Sequence, residues 1–249
     1  MWDMIRYLFP LLLVLMLRPE LKAQQLNHFI SGERLKFIIY YGPITGGTMV
    51  SEVQEKEFEG KRLYYARMLA KTAGLADKLY KVRDEYISYF DPTTILPYKS
   101  IRNISEGRYK KYDHVYYYNS EYFVKNNDDK TFPVPSDIRD ILAAVYFIRN
   151  IDFTGMKKGE IFRINTFFDN ELFPFDIRYM GNEKVKIKLG EYSCIKLVPY
   201  VETGRVFENE DDVTIYLSND ANRVPIRVEF ILKIGSVKVD LIEYSGLKY

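Results

Sequence analysis

Along most of the chain apolar and polar residues alternate one by one, the period of a strand with one buried and one wet face. Leu35, Phe37, Ile39 and Tyr41 alternate with Arg34, Lys36 and others, and the run stops at Gly42-Pro43 with Gly46-Gly47 just beyond. This predicts a strand, a turn and the start of a second strand. Residues 49–58, 62–71, 82–90, 98–105 and 109–118 continue the pattern, separated by Gly60, Gly74, Asp91-Pro92 and Glu106-Gly107, the residue types that punctuate sheets. Residues 75–80 suit one helical turn or two.

The C-terminal half repeats the pattern more cleanly. Strands are predicted at residues 161–168, 175–180, 185–189 and 192–198, with Gly181-Asn182 and Gly190-Glu191 at the spacing of two-residue hairpin turns. Val185, Ile187 and Leu189 face one way, and Lys184, Lys186 and Lys188 the other. The longest run is Val224, Ile226, Val228, Phe230, Leu232 and Ile234, interleaved with Arg227, Glu229 and Lys233, before Gly235-Ser236 turns into Val237, Val239 and Leu241. Something must cover the apolar face of these strands.

The cover is the one long stretch with helical spacing. It opens after Pro133-Val134-Pro135, with Ser136 or Asp137 as N-cap, and runs to about Arg149. Ile138, Ile141, Leu142, Val145 and Ile148 fall on one face, and Ala143 and Ala144 permit close approach to a sheet. The predicted fold is mainly β: a curved antiparallel sheet or open half-barrel wrapped around one main α-helix. Ile141, Val145 and Ile148 are expected to pack against Val228, Phe230 and Leu232. These six are the candidate residues for binding a hydrophobic ligand.

At the N-terminus, Arg6 precedes an apolar run from Tyr7 to Leu17, then a polar stretch ending at the small residue Ala23. Residues 1–23 therefore read as a secretory signal. A transmembrane helix needs ~20 apolar residues; this run is about half that, with Pro10 inside it. The residue after Ala23 is Gln24 rather than the cysteine a bacterial lipoprotein needs. The expected product is a periplasmic or secreted protein of a Gram-negative bacterium, with residues 24–249 as a single β-rich globular domain that does not span a membrane. No linker or repeat divides it, and the acidic residues 208–212 read as one solvated loop.

Without the signal the chain has 36 − 3 = 33 basic and 34 − 2 = 32 acidic residues. That balance argues against a nucleic-acid binder, whose affinity comes from clustered positive charge. The single cysteine, Cys194, excludes an intrachain disulfide, and reads as a small apolar residue in a strand.

These segments together resemble a family of secreted bacterial proteins known as domain of unknown function 3108. The pieces that carry the likeness are Gly32-Glu33-Arg34-Leu35 with Tyr40-Tyr41-Gly42 and Gly46-Gly47, the Asp91-Pro92-Thr93 turn followed by Pro97-Tyr98, the central helix, and the stretch from Ser218 to Pro225 (SNDANRVP). The likeness covers nearly the whole chain after the signal. It implies no activity, cofactor or site residues. The layout of strands around a helix is similar to the half-barrels of periplasmic lipoprotein carriers, by fold-level analogy alone.

A search for chemistry returns little. Only His28 and His114 are present, and no residues stand at metal-ligand spacing. His114 is the one histidine inside the fold placed to serve as a base, and it reads as a packed or surface residue in the strand face Tyr112, His114, Tyr116, Tyr118. Gly46-Gly47 leads into a strand, not a helix, and so makes no phosphate cradle. Asp220, Asn222 and Arg223 read as a turn, with Arg223 pairing Asp220. No enzyme and no cofactor are expected. The compositional oddity is 22 tyrosines, many between Tyr80 and Tyr122. Most suit sheet faces, and some could line a groove for a glycan or an acyl chain.

Two functions remain. One is a carrier that binds a lipid or other hydrophobic envelope component in the concave sheet. The other is a structural or protein-interaction module of the cell envelope with a filled core.

Overall fold

The structure, a computed structural model, describes residues 27–201, 203, 208–233 and 235–249; the expected secretory signal lies outside the described residues. The first half forms β1 (Arg34–Tyr41), β2 (Ile44–Phe58), β3 (Lys61–Thr72), a short helix α1 (Gly74–Leu79), β4 (Arg83–Phe90), β5 (Pro97–Glu106) and β6 (Tyr109–Tyr118). Two short strands, β7 (Phe123–Asn126) and β8 (Thr131–Pro133), lead to the helix α2 (Ile141–Arg149). The second half adds β9 (Ile161–Ile164), the small hairpin of β10 (Phe167–Phe168) and β11 (Glu171–Leu172), and β12 (Phe175–Ile187). It ends with β13 (Gly190–Pro199), β14 (Val213–Ser218), β15 (Pro225–Leu232) and β16 (Gly235–Ser245).

Fourteen strands form one antiparallel sheet in the order β8-β7-β6-β5-β4-β3-β2-β1-β16-β15-β14-β13-β12-β9. It is a run of hairpins in which the first and last strands, β1 and β16, meet in the middle. The sheet stays open, with β8 and β9 as its edges. Short polar turns join most neighbours, so side chains keep the in-out alternation that the sequence announces. Gly47 sits where β2 crosses close to β3, and a Cβ there would collide with the Lys71 carbonyl. The predicted class, a large curved antiparallel sheet around one main helix, is the one observed.

The structure corrects several local expectations. Gly181-Asn182 makes no hairpin. Pairing jumps from Tyr179–Leu197 to Asn182–Ile195, a bulge inside a continuous β12, with Gly181 at φ 84° supplying the kink. The next turn lies two residues earlier than Gly190-Glu191, since Ile187 pairs Gly190, and Leu189 is therefore exposed. β14, which follows the acidic residues 208–212, is a strand beyond those expected.

The helix is shorter than its apolar spacing suggests. Its N-cap is Asp140, whose Oδ1 accepts from the Leu142 and Ala143 N–H groups at 2.8 and 2.9 Å. Ser136 and Asp137 form a turn, and Arg139 then forms a parallel bridge to Thr166, its N–H donating to the Asn165 carbonyl at 2.9 Å and its carbonyl accepting from the Phe167 N–H at 2.9 Å. Those backbone bonds compete with a further helical turn and win.

Buried apolar residues among the described residues gather in four clusters. Leu142, Ala143 and Tyr146 of α2 pack with Phe29, Val53, Ala66 and Phe90 under the first half of the sheet. Ala144 and Ile148 pack with Ile164, Ile177, Leu197 and Leu217 under the second half. The helix thus bridges the two halves. A third cluster joins Val185 and Ile187 of β12 to Phe37 of β1 and Leu241 of β16. β12 and β1 are not neighbours in the sheet, so the sheet curls far enough here to cover its own face. The fourth cluster, with Val124, Ile138 and Phe167, closes the region below β7.

Candidate functional site

The six residues expected to bind a ligand are not brought together. Ile148 is buried in the second-half cluster, whereas Val228 and Phe230 pack against the self-covered cluster of β1, β12 and β16. Val145 is 39% exposed, and Ile141 and Leu232 are half-buried. The physical reason is the curl: the face of β15 is covered by the far end of β12, so it has no need of the helix.

Each end of α2 instead carries a buried polar group. At its C-terminal end Arg149, 1% exposed, donates to both oxygens of Glu33 at 2.6 and 2.7 Å and to the Asn222 carbonyl at 2.9 Å. It also donates to the His28 carbonyl at 3.2 Å and lies over the Phe29 ring at 5.1 Å. Three of the segments that carried the family likeness, those around Glu33, the helix and Asn222, therefore meet on one guanidinium. Arg223 does not pair Asp220 through its side chain; it reaches the carbonyls of Arg149 and Ile151, and only its backbone N–H bonds Asp220. This end is a structural lock.

At the N-terminal end Asp140 accepts a 2.5 Å hydrogen bond from Ser88 in addition to its two capping bonds. Burial pushes its carboxyl up to about 6, against those hydrogen bonds. It lines a cavity of about 50 Å³ shared with Ser100, Ile141, Leu142 and Phe167. The β10–β11 hairpin roofs this space: Asp169 pairs Arg102 at 2.8 Å and also Lys111, while Asn170 accepts from Asn126 at 2.9 Å. The volume holds a few waters and no acyl chain, since pockets for drug-sized ligands measure ~300–1,000 Å³.

A larger concavity lies along β6 and β7, extending to the β2–β3 and β4–β5 turns and enclosing about 790 Å³. Its aromatic walls are Phe58, Tyr98, Tyr116 and Tyr118. Tyr116 lies opposite Lys99 and Lys125, on the strand face away from the buried Tyr117. Tyr98 is placed by a bulge: Tyr89 pairs Lys99 and Phe90 pairs Pro97, which leaves Tyr98 as the extra residue. Rings continue across the neighbouring strands, with Phe58 stacked on Tyr89 at 4.5 Å and Tyr118 on Phe123 at 4.5 Å. Lysines lie against the rings: Lys61 Nζ is 4.3 Å from the Tyr98 centroid, and Lys99 Nζ sits at the hydroxyl end of Tyr116, donating to its hydroxyl at 2.7 Å. The tyrosine excess was visible in the sequence; the bulge that turns Tyr98 into the trough was not.

The residue types that suggested chemistry are spread apart. His114 stands between the Tyr112 and Tyr116 rings, on the face opposite Ser100 and Ser88, because it pairs Ile101. Burial pushes the Cys194 thiol up to about 11, which makes it a poor nucleophile. Among the described residues no group of three or more His, Cys, Asp or Glu could hold a metal ion, and no helix is long and apolar enough to cross a membrane.

The profile of the family described as protein of unknown function (DUF3108) matches residues 36–242. The chain belongs to that family. No curated protein matches it. Among solved structures, this DUF3108 chain is similar to a β-barrel-like DUF1849 protein from Brucella abortus, with TM-score 0.56 and 8% identity over 87% of this chain and 98% of that one. It is more distantly similar to a DUF1089 family protein from Pseudomonas aeruginosa, with TM-score 0.38 and 10% identity over 82% and 91% of the two chains. A candidate lipoprotein from Parabacteroides distasonis stands at TM-score 0.39 and 10% identity, over 88% and 98%. The Brucella likeness is one of fold.

Proposed function

We propose that this DUF3108 protein is exported to the bacterial envelope and acts there as a non-catalytic binding module, with its ligand in the tyrosine-walled trough rather than under the helix. The observation that carries the reading is the contrast of volumes: about 790 Å³ in the trough against about 50 Å³ beside the helix. Export rests on the apolar run from Tyr7 to Leu17 and the small residue at Ala23. The non-catalytic reading rests on His114 and Ser88 occupying opposite faces of the sheet. A lipid carrier built on the concave face would need the room that Leu142, Tyr146 and Ile148 fill.

The test is native mass spectrometry of the protein purified from its own envelope, alongside a Tyr98→Ala/Tyr116→Ala double variant. A small co-purifying mass on the wild type that is lost from the folded variant is the expected result. A mass that survives the double variant but disappears in Ala144→Trp would move the ligand to the interior. The packed core supports a second reading, a protein-interaction module, for which the co-purifying species would be a polypeptide.

A further inference from the structure

We infer that the trough along β6 and β7 is a site for an uncharged saccharide chain; this rests on the trough being the binding site and adds the class of ligand. Three features of the trough select that class. The first is the wall. Tyr98, Tyr116 and Tyr118 each offer a flat apolar ring and a hydroxyl, large rigid contact area that loses little conformational entropy on binding. A pyranose has the matching form, with an apolar C–H face and a polar edge. The Lys61 ammonium held 4.3 Å from the Tyr98 centroid shows that this face accepts a group at contact distance. Lysine side chains are long and flexible enough to yield that place to a sugar face.

The second feature is the polar lining. Glu59, Lys61, Asn119, Glu121 and Asn127 place donors and acceptors around the rings. A hydrocarbon chain laid over them would desolvate these groups without replacing their hydrogen bonds. Hydroxyls both donate and accept, so a sugar meets either kind. Glycosidic linkage then repeats the pattern along the trough.

The third feature is charge. Four carboxylates, Glu59, Asp91, Glu121 and Asp129, outnumber three ammonium groups, Lys61 and Lys125 in the lining and Lys99 at the Tyr116 ring, and Lys125 is already paired with Asp129 at 2.6 Å. Asp91 is held by its own turn, accepting from the Thr93 and Thr94 N–H groups at 2.8 Å each. There is no cluster of basic groups for a phosphate-bearing lipid or polymer. Lys61 over the Tyr98 ring and Lys99 at the Tyr116 hydroxyl oppose a cationic ligand. An uncharged ligand is what remains.

The test is isothermal titration of the mature protein with three neutral tetramers: β-1,4-linked N-acetylglucosamine, β-1,4-linked glucose and α-1,4-linked glucose. A fluorescent fatty acid is titrated in parallel. At least one tetramer is expected to bind, and Tyr116→Ala should weaken it tenfold or more while Tyr116→Phe, which keeps the ring face, stays within about threefold. Tyr112→Ala is the control, because Tyr112 lies on the same strand face but outside the trough. Circular dichroism confirms that each variant is folded. Tetramer binding that Tyr112→Ala weakens as much as Tyr116→Ala would overturn the inference, as would no binding of any tetramer to folded wild type. If the fatty acid binds instead and Tyr116→Ala abolishes it, the trough remains the site and only the ligand class is wrong. If no probe responds to Tyr116→Ala, both readings fall.

Discussion

The two ends of α2 each sink a carboxylate into the interior and hold it by different means. At the C-terminal end Glu33 meets the guanidinium of Arg149, with both partners 1% exposed. At the N-terminal end Asp140 is held by neutral donors, the Ser88 hydroxyl and two backbone N–H groups, and burial pushes its carboxyl up to about 6. Arg139 next in the chain is itself buried and desolvated, down to about 10, and turns its guanidinium to the Asp137 and Thr94 carbonyls. A charge with a fixed counter-charge is a permanent lock. A charge held mainly by dipoles, with no ion pair, depends on pH, and this one sits beside the small roofed cavity.

The largest effect is expected where the lock is broken from one side. Arg149→Met leaves Glu33 buried without its counter-ion, and removing one partner of such a pair costs ~3–5 kcal/mol. It also strands the Asn222 carbonyl. The double variant Glu33→Leu/Arg149→Met should be more stable than Arg149→Met alone, because no lone charge remains. Urea unfolding of the two single variants, the double variant and the wild type measures this directly. Equal and additive losses would mean that the pair is not coupled.

Next in size is the pH dependence at the other end. The carboxyl of Asp140 is raised to about 6 in the folded protein from the ordinary aspartate value of 3.8. With the folded value raised, the folded state holds the proton more tightly. Stability from this group is complete below about pH 4 and is lost as pH rises through about 6. Two pH units at ~1.4 kcal/mol each amount to about 3 kcal/mol. Asn caps a helix as well as Asp and carries no titrating group. Asp140→Asn should therefore gain on the wild type by about that amount between pH 4 and pH 7. The comparison cancels the depressed carboxylates Asp129, Asp169 and Asp176, whose contributions run the other way. Parallel stability curves for the two proteins would show that Asp140 does not titrate there.

Ser88→Ala sharpens the same end. It removes the hydroxyl donated to Asp140 at 2.5 Å. Hydrogen bonds to charged groups are worth ~1.5–3 kcal/mol, so a loss of about 2 kcal/mol is expected at pH 7 and a smaller one at pH 4. A loss of equal size at both values would assign Ser88 to packing alone.

How far the sequence reveals these contrasts follows from the range of the forces involved. Alternation such as Leu35, Phe37 and Ile39 is local and survived into β1; so did the hairpins around Gly60 and Gly107. What pairs or packs across the sheet is not local. Glu33 and Arg149 are 116 residues apart, and each reads in isolation as a surface charge. The curl that covers Val228 and Phe230 arises from β12 folding over β1, which no period in β15 records. Asp140 was legible in kind, as a good N-cap residue before the run Ile141-Leu142-Ala143. Ile138 concealed it by extending the helical spacing one turn too far, although its side chain belongs to the cluster below β7. The trough was half legible: the tyrosines between Tyr80 and Tyr122 pointed to it, and the pairing that turns Tyr98 out of β5 did not.

The smallest effect is expected midway between the two ends. Apolar spacing places Val145 with Ile141 and Ile148 on a face turned to the sheet, where tryptophan would overpack the core by ~1–3 kcal/mol. The structure turns Val145 outward and keeps Ile148 in the core. With Asp140 as cap, Leu142 and Tyr146 point under β2–β4 and Ala144 and Ile148 under β12–β14, which leaves Val145 39% exposed. Substitutions at such a surface stay within ~0.5 kcal/mol. Val145→Trp should therefore melt with the wild type and leave the binding of any trough ligand unchanged. Ala143→Trp, two residues away at a fully buried position, should be strongly destabilised. Thermal unfolding of both variants settles the rotation of the helix. If Val145→Trp is the more damaging of the two, the helix is turned the other way and the comparison between Glu33 and Asp140 no longer holds.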